Sequence, residues 1–103
     1  MKTLLLPTAN KIHCINVDSI IRIEASSNYS KLYCCNQPHP IIACKVLRWF
    51  EDQLPQEFFL RIHRTHLINK KYLAAITTHN VILESGELIS ISRRKRKIWM
   101  ASL

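Results

Sequence analysis

Apolar and polar residues alternate along most of the chain, which is the period of a half-buried β-strand. The pattern predicts strands at Thr3–Leu6, Lys11–Ile15, Ile20–Ala25, Ser30–Cys35, Ile41–Cys44, Phe58–His63, Leu73–Thr77, Val81–Leu83 and Leu88–Ile91. Gly86, the single glycine of the sequence, lies between the last two strands. Because glycine readily adopts positive φ, we expect a hairpin turn there. The fold class is therefore mainly β, built from antiparallel sheets.

Two segments are predicted to be helices instead. In the first, apolar side chains recur at helical spacing, at Ala43, Val46, Leu47, Phe50 and Leu54. Pro55 ends this segment. The second segment runs from Arg93 to about Met100. It follows Ser92, and serine is a residue type that caps helix N-termini. At helical spacing Ile98 should turn inward. We expect one amphipathic helix near 43–54 and a short C-terminal helix.

The charge of the chain indicates a partner. Fifteen Lys and Arg residues stand against seven Asp and Glu in 103 residues, so the formal net charge is +8. Such an excess attracts polyanions, and nucleic acid is the first candidate. Nine of the fifteen cations lie in two short stretches, residues 61–71 and 93–97. A single charge run is often only a solvated surface, but two runs beside strands favour a binding surface.

The organisation of the chain is simple. No linker, low-complexity tract or repeat divides it, so we expect one domain over residues 1–103. The three leucines before Pro7 are too few for a signal peptide or a membrane span, and we expect a cytoplasmic protein with no membrane contact. Thiols in that compartment stay reduced. The four cysteines should be mostly buried; they are Cys14, Cys34, Cys35 and Cys44.

Catalytic and metal chemistry find little support in the sequence. It holds no phosphate-binding glycine loop and no His-Glu-x-x-His motif, so we expect neither enzymatic activity nor a cofactor. Zinc is the competing chemistry, because His63 and His66 are three residues apart and cysteines are good zinc ligands. However, no Cys-x-x-Cys pair is present, and adjacent Cys34 and Cys35 point to opposite faces of a strand. We therefore predict no metal site.

Three segments share the motifs of one known family. Residues 18–29 are an isoleucine-rich strand, a glutamate and a polar loop that ends in Asn28-Tyr29. Residues 59–69 read F-L-R-I-H-R-T-H-L-I-N, and residues 88–95 are a strand followed by S-R-R-K. In this order and spacing the segments resemble the LytTR-type DNA-binding domain, the output domain of LytR/AlgR-like bacterial response regulators. The resemblance covers about Thr3 to Lys97.

The resemblance implies an elongated arrangement of antiparallel sheets with small helices. It also implies sequence-specific binding of double-stranded DNA by a bacterial transcription regulator, with loops that read successive major grooves. Ser30 stands where some members carry a base-contacting histidine. Arg64 would lie near the backbone or the intervening minor groove, and Arg94 would contact a base edge in the second major groove. A guanidinium can donate to both O6 and N7 of guanine.

The predicted DNA-binding residues are Asn28, Tyr29, Ser30, Lys31, Arg61, His63, Arg64, Thr65, His66, Asn69, Ser92, Arg93, Arg94, Lys95, Arg96 and Lys97. For residues 28–31 the alternative is a plain polar loop between strands. For His63 and Asn69 a structural role competes, because a histidine on an apolar strand and an asparagine at a helix start usually satisfy local hydrogen bonds.

Partners follow from the same resemblance. Family members often bind paired direct repeats and carry a phosphorylatable receiver domain, so we expect a homodimer on tandem sites and a receiver domain or sensor partner outside the printed sequence. Two other functions fit a basic, β-rich domain. One is RNA binding, with Tyr29 and Tyr33 stacked on unpaired bases, and the other is docking of an acidic protein.

Overall fold

The fold is described by a computed structural model that covers residues 2–101. Ten strands form in this part of the chain: β1 (Thr3–Pro7), β2 (Ile12–Asn16), β3 (Ile20–Ser26), β4 (Tyr29–Cys34), β5 (Ile41–Ala43), β6 (Phe59–His63), β7 (His66–Asn69), β8 (Leu73–Ile76), β9 (Asn80–Leu83) and β10 (Leu88–Ser90). The helices are α1 (Leu47–Gln53), α2 (Arg93–Ala101) and the 3-10 turns Val17–Ser19 and Lys70–Tyr72. The mainly β fold with two small α-helices is confirmed, and overall dimensions of 42 × 25 × 22 Å confirm that the arrangement is elongated.

The strands form three antiparallel sheets. A central sheet has the order β5-β4-β3-β7-β6. One of its faces shares a core with the two-stranded sheet β1-β2, and the other shares a core with the three-stranded sheet β10-β9-β8. Successive side chains of a strand point to opposite faces, so the central sheet supplies a core on each side. In β7, Leu67 packs into one core and Ile68 into the other.

Each core holds one of the two α-helices. The first core contains α1 through Phe50, packed with Leu6 of β1 and Ile23 of the central sheet. The second core contains α2 through Trp99, packed with residues of the central and three-stranded sheets that include Ile62 and Val81. Burial of these large apolar side chains, each worth about 1.5–3 kcal/mol when fully buried, attaches both short helices to the sheets.

The predicted strand boundaries agree with the structure to within one residue, but two larger differences remain. Helix α1 begins at Leu47 rather than at residue 43, because Ala43 pairs with Ser30 at the edge of the central sheet. Strand β7 was not predicted, because Leu67 and Ile68 are adjacent apolar residues buried on opposite faces. A strand covered on both faces shows no alternation of apolar and polar residues.

Two predictions about burial are wrong. Ile98 is 52% exposed and Trp99 is 8% exposed, so the tryptophan takes the inward position on α2. Neighbouring residues of a helix point about 100° apart, so Ile98 and Trp99 do not both face the sheet. The tryptophan ring is larger than the isoleucine side chain and buries more apolar surface. Of the cysteines, Cys34 is buried in the first core, whereas Cys14, Cys35 and Cys44 are exposed on the outer sides of their segments.

The predicted hairpin turn is confirmed. Gly86 has a φ of +92°, and its N–H donates to the Leu83 carbonyl at 2.8 Å. Glu87 follows this turn immediately before β10, and its carboxylate reaches Arg22 of the central sheet. Neither of the α-helices within residues 2–101 has the length and apolar character needed to cross a membrane.

A buried guanidinium connects the central and three-stranded sheets. Arg22 of β3 is 7% exposed, and its Nε and Nη2 donate to the two carboxylate oxygens of Glu87 at 3.0 and 2.9 Å. Its Nη1 donates to Oε1 of Glu24 at 2.8 Å, and the guanidinium lies 3.8 Å from the centre of the Tyr33 ring. A buried charge needs such partners, because an unpaired one costs several kcal/mol.

Arg22→Ala should therefore destabilise the fold. We expect the free energy of unfolding to fall by about 2 kcal/mol, because Glu24 and Glu87 lose their shared cation. Arg48→Ala is the matched control, since Arg48 is 77% exposed in a pair with Asp52 and should change stability by less than about 0.5 kcal/mol. Urea unfolding measures both values, and equal losses would contradict the assigned role of Arg22.

Candidate nucleic-acid interface

Two hairpin turns lie side by side at one end of the central sheet. The β3–β4 turn holds Ser27 and Asn28, and the β6–β7 turn holds Arg64 and Thr65. Because β3 and β7 are paired antiparallel, the end of one strand meets the start of the other. The N–H of Ala25 donates to the Thr65 carbonyl at 2.8 Å, which joins the two turns directly.

The N-terminal ends of both α-helices are attached to the central sheet. Before α1, Ser30 Oγ donates to the Lys45 carbonyl at 2.6 Å. Before α2, the N–H of Ser92 donates to the carbonyl of Ile62 at 2.9 Å. Ser92 Oγ also accepts from the N–H of Lys95 at 3.2 Å, which confirms Ser92 as the predicted N-cap.

A cationic cleft of about 570 Å³ lies where the β6–β7 turn meets α1 and α2. Its lining residues are Arg48, Glu51, Arg61, His63, Arg64, Ser92, Arg94 and Lys95. Arg61 forms an ion pair with Glu51, and this pair adds no net charge to the cleft. Arg48 pairs with Asp52 at 3.3 Å, but both side chains are well exposed and such a pair is weak. Hence four cations remain for a ligand, at positions 48, 64, 94 and 95.

Arg48 belongs to this cleft although the sequence analysis did not select it. It lies in α1, 13 residues before Arg61, outside both basic stretches. In the sequence it is one exposed cation on an amphipathic helix, which is typical of a solvated surface. Only the packing of α1 beside the β6–β7 turn brings it to the interface.

The cations of α2 divide between two surfaces. Arg94 and Lys95 line the cleft, whereas Arg93, Arg96 and Lys97 line a separate depression of about 280 Å³ with His79 and its neighbours. Arg96 Nε donates to the Thr77 carbonyl at 3.1 Å, so this side chain is held against the β8–β9 turn. The predicted cationic patch is therefore two patches on opposite sides of one helix.

The loop predicted for a major groove is only partly available. Asn28 is exposed at the turn, and Tyr29 and Lys31 are half-buried. Ser30 has 0% exposure, and its hydroxyl is used by the Lys45 carbonyl. A buried Ser30 has no surface to offer to a base, so the structure does not bring it to the interface.

Asn69 is also placed inside the fold. It is 2% exposed, and its Nδ2 donates to the Ile20 carbonyl at 2.9 Å. Its Oδ1 accepts from the N–H of Lys71 at 3.0 Å, which caps the 3-10 turn that follows. The side chain thus has the structural role that the sequence analysis weighed against a contact.

A chain of hydrogen-bonding side chains runs behind the β6–β7 turn. His63 Nδ1 lies 2.8 Å from Thr65 Oγ1, and that hydroxyl lies 3.0 Å from His66 Nδ1. His66 Nε2 lies 3.2 Å from Oε1 of Glu24, the carboxylate that also accepts from Arg22. Among residues 2–101, no three side chains of His, Cys, Asp or Glu type are placed to hold a metal ion.

Burial and charged neighbours set the protonation of His66 and Glu24. Burial, the largest cause, lowers the pKa of His66 below its usual 6.5, although Glu24 opposes the shift. For Glu24, burial would raise the pKa, but the bonds from Arg22 and His66 outweigh it and hold the pKa below 4.5. A neutral His66 donates to Glu24 from Nε2, so its Nδ1 must accept from the Thr65 hydroxyl.

The shift of His66 predicts a stability loss in mild acid. In the unfolded chain His66 binds a proton near pH 6.5, whereas in the folded protein it binds that proton only at lower pH. The free energy of unfolding is therefore unaffected by this group above pH 6.5 and falls as the pH drops below it. Glu24 adds a second loss below pH 4.5. Urea unfolding between pH 8 and pH 5 should show the first loss in the wild type, and His66→Gln should reduce it. Identical pH profiles for the two proteins would contradict the assignment.

Comparison with known proteins gives one consistent family. The sequence model of the family described as LytTr DNA-binding domain matches residues 10–102. The fold also matches a solved LytTr DNA-binding domain from Bacillus cereus, with a TM-score of 0.80 and coverage of 98% of this chain and 95% of that one. Sequence identity to that domain is 18%, so this likeness concerns the fold.

Longer bacterial proteins contain a similar sequence. Transcriptional regulatory protein LytR of Staphylococcus aureus strain N315 is 28% identical over 99 residues, which cover 91% of this chain and 39% of that protein. Sensory transduction protein LytT of Bacillus cereus is 26% identical over 102 residues, which cover 94% of this chain and 41% of that protein. The chain thus spans about two fifths of the length of these relatives.

Proposed function

The chain belongs to the LytTr DNA-binding domain family, and we propose that it binds double-stranded DNA as the DNA-binding domain of a bacterial transcription regulator. The observation that carries the proposal is the cleft in which Arg48, Arg64, Arg94 and Lys95 converge from three segments. Duplex DNA carries one phosphate charge per about 1.7 Å of its axis, and cations that replace its counterions supply much of the affinity.

The proposed mode of binding uses turns and a helix end rather than a helix laid along a groove. The molecule is 42 Å long, which exceeds the roughly 34 Å repeat of B-DNA, and this length supports contact with two successive major grooves. Asn28, Tyr29 and Lys31 would enter one groove, and Arg94 would reach a base edge in the next. Arg64 would lie between them at the backbone or minor groove.

Phosphate contacts complete the proposed interface. Lys95 and Arg48 hold phosphates at the cleft, and Arg93, Arg96 and Lys97 offer a second cationic surface across α2. Ser30 and Asn69 are left out because their side chains are buried.

Tyr33 is a poor platform for an unpaired base, since the Arg22 guanidinium already lies over its ring. This arrangement favours duplex DNA over single-stranded RNA as the ligand.

The biological setting is part of the proposal. We propose that residues 1–103 act as one non-enzymatic domain in the cytoplasm and that two copies bind tandem direct repeats. The relatives are more than twice as long as the region that they share with this chain, which fits a receiver domain or sensor partner acting with it. Regulation of transcription would then depend on signals received outside residues 1–103.

The cationic cleft makes duplex binding sensitive to salt. Log affinity should fall linearly with log salt concentration, and Arg48→Ala should reduce the slope by about one while weakening cognate and scrambled duplexes alike. Lys11→Ala is the matched control, because it removes the same charge from the exposed end of the β1–β2 sheet. Fluorescence anisotropy at about 50 to 300 mM salt, a range that includes physiological ionic strength, measures the slopes. Duplex binding that ignores salt, or a preference for single-stranded RNA in competition, would contradict the proposal.

Base reading by Arg94 is tested by selectivity. A cognate duplex is first selected from a random pool with the wild-type domain. Arg94→Ala should then lose about 1–3 kcal/mol on the cognate duplex and much less on a scrambled one. Lys95→Ala is the control from the same cleft, and it should weaken both duplexes equally. An equal loss on both duplexes for Arg94→Ala would reassign Arg94 to a phosphate contact.

A further inference from the structure

The β6–β7 turn lacks the backbone conformation that usually closes a two-residue hairpin. Such hairpins favour turns with positive φ at one or both central residues. Within residues 2–101, positive φ occurs at Ser27 and Gly86. Arg64 and Thr65 therefore form their turn with negative φ, and the strand pairing before it shifts register between Arg61 and His63. The turn needs support from outside its own backbone.

Arg61 supplies most of that support. Its Nε donates to the His63 carbonyl at 2.8 Å, and its Nη2 donates to the Arg64 carbonyl at 2.6 Å. The next carbonyl, that of Thr65, accepts from the N–H of Ala25 at 2.8 Å. Three successive carbonyl groups of the turn are thus held, and one guanidinium holds two of them.

Glu51 of α1 orients this guanidinium. Its carboxylate accepts from Arg61 Nη1, and the side chains of Arg61 and Glu51 are only 21% and 30% exposed. The ion pair joins α1, which carries Arg48, to the turn that carries Arg64. The charge of Arg61 is compensated, and three of its five N–H groups are committed within the protein.

We infer that Arg61 is a positioning residue rather than a DNA contact: oriented by Glu51, it holds the β6–β7 turn in the conformation that presents Arg64 to the cationic cleft. This role differs from the DNA contact that the motifs predict for Arg61. The inference rests on the proposed function for the role of Arg64, but the order of the turn can be measured without DNA.

Arg61→Lys separates the two roles, because it keeps the charge and loses the planar fork that reaches two carbonyls and a carboxylate. We expect the cognate duplex to bind roughly tenfold more weakly, and Arg64→Ala to cost little more in the Arg61→Lys background than Arg61→Lys alone. If Arg61 were a phosphate contact, lysine would preserve the affinity and Arg64→Ala would cost the same in both backgrounds. That result would overturn the inference.

Glu51→Ala gives a test in which the sign of the effect decides. Removal of a carboxylate beside a cationic cleft should strengthen DNA binding if only charge matters. If Glu51 orients Arg61, Glu51→Ala should instead weaken binding. Asp52→Ala is the matched control from the same helix, with the same change of charge at an exposed side chain, and it should not weaken binding. Equal strengthening by both variants would overturn the inference.

The free protein distinguishes failure of this inference from failure of the proposed function. Backbone ¹⁵N relaxation should show that Arg64 and Thr65 become mobile in Arg61→Lys and in Glu51→Ala, while the strands keep their order. If the wild type binds no duplex but the turn loosens, the proposed function fails and the positioning role stands. A turn that stays ordered in both variants overturns the role. Should Arg61→Lys not fold, Glu51→Ala decides.

Discussion

The buried guanidinium of Arg22 is the constraint on which the rest of the arrangement depends. A charge at 7% exposure must be paired, and two carboxylates from different sheets supply the partners. Glu87 brings the three-stranded sheet, and with it the second core and α2, against one face of the central sheet. Glu24 continues the network to His66 and the β6–β7 turn. One charged side chain thereby links the position of α2 to that of the turn beside it.

Pairing of arginines with carboxylates also determines which of the positive charges can bind a ligand. Three of the seven carboxylates, Glu24, Glu51 and Glu87, form ion pairs with Arg22 and Arg61. Those pairs stabilise the arrangement of strands and turns but leave no net cation for a ligand. The cations left without a buried partner in the cleft come from α1, the β6–β7 turn and α2. A net charge of +8 therefore becomes a local field rather than a diffuse one.

Alternation predicted nine of the strands, most directly where one face packs on a core and the other meets solvent, as in β1 with its buried Leu4 and Leu6 between exposed neighbours. It failed at β7, where Leu67 and Ile68 enter different cores, and no local pattern reports that a strand will be covered on both faces. Similarly, the helical period located α2 but placed Ile98 inward in place of Trp99. The choice between neighbouring positions depends on the space that the opposing sheet leaves, which lies far away in the sequence.

Prediction of the site had a corresponding limit. Three of the residues that the motifs selected, Arg64, Arg94 and Lys95, line one cleft. The sequence does not separate Arg61 from Arg64, or Ser30 from Asn28, because the members of each pair are polar residues of the same short segment, two or three positions apart. They differ in whether a nearby backbone carbonyl accepts a hydrogen bond from the side chain. The carbonyls of His63 and Arg64 accept from Arg61, and the carbonyl of Lys45 accepts from Ser30. A polar residue near an interface is a candidate contact only if its hydrogen-bond donors are not already used within the protein. Whether they are used depends on tertiary packing.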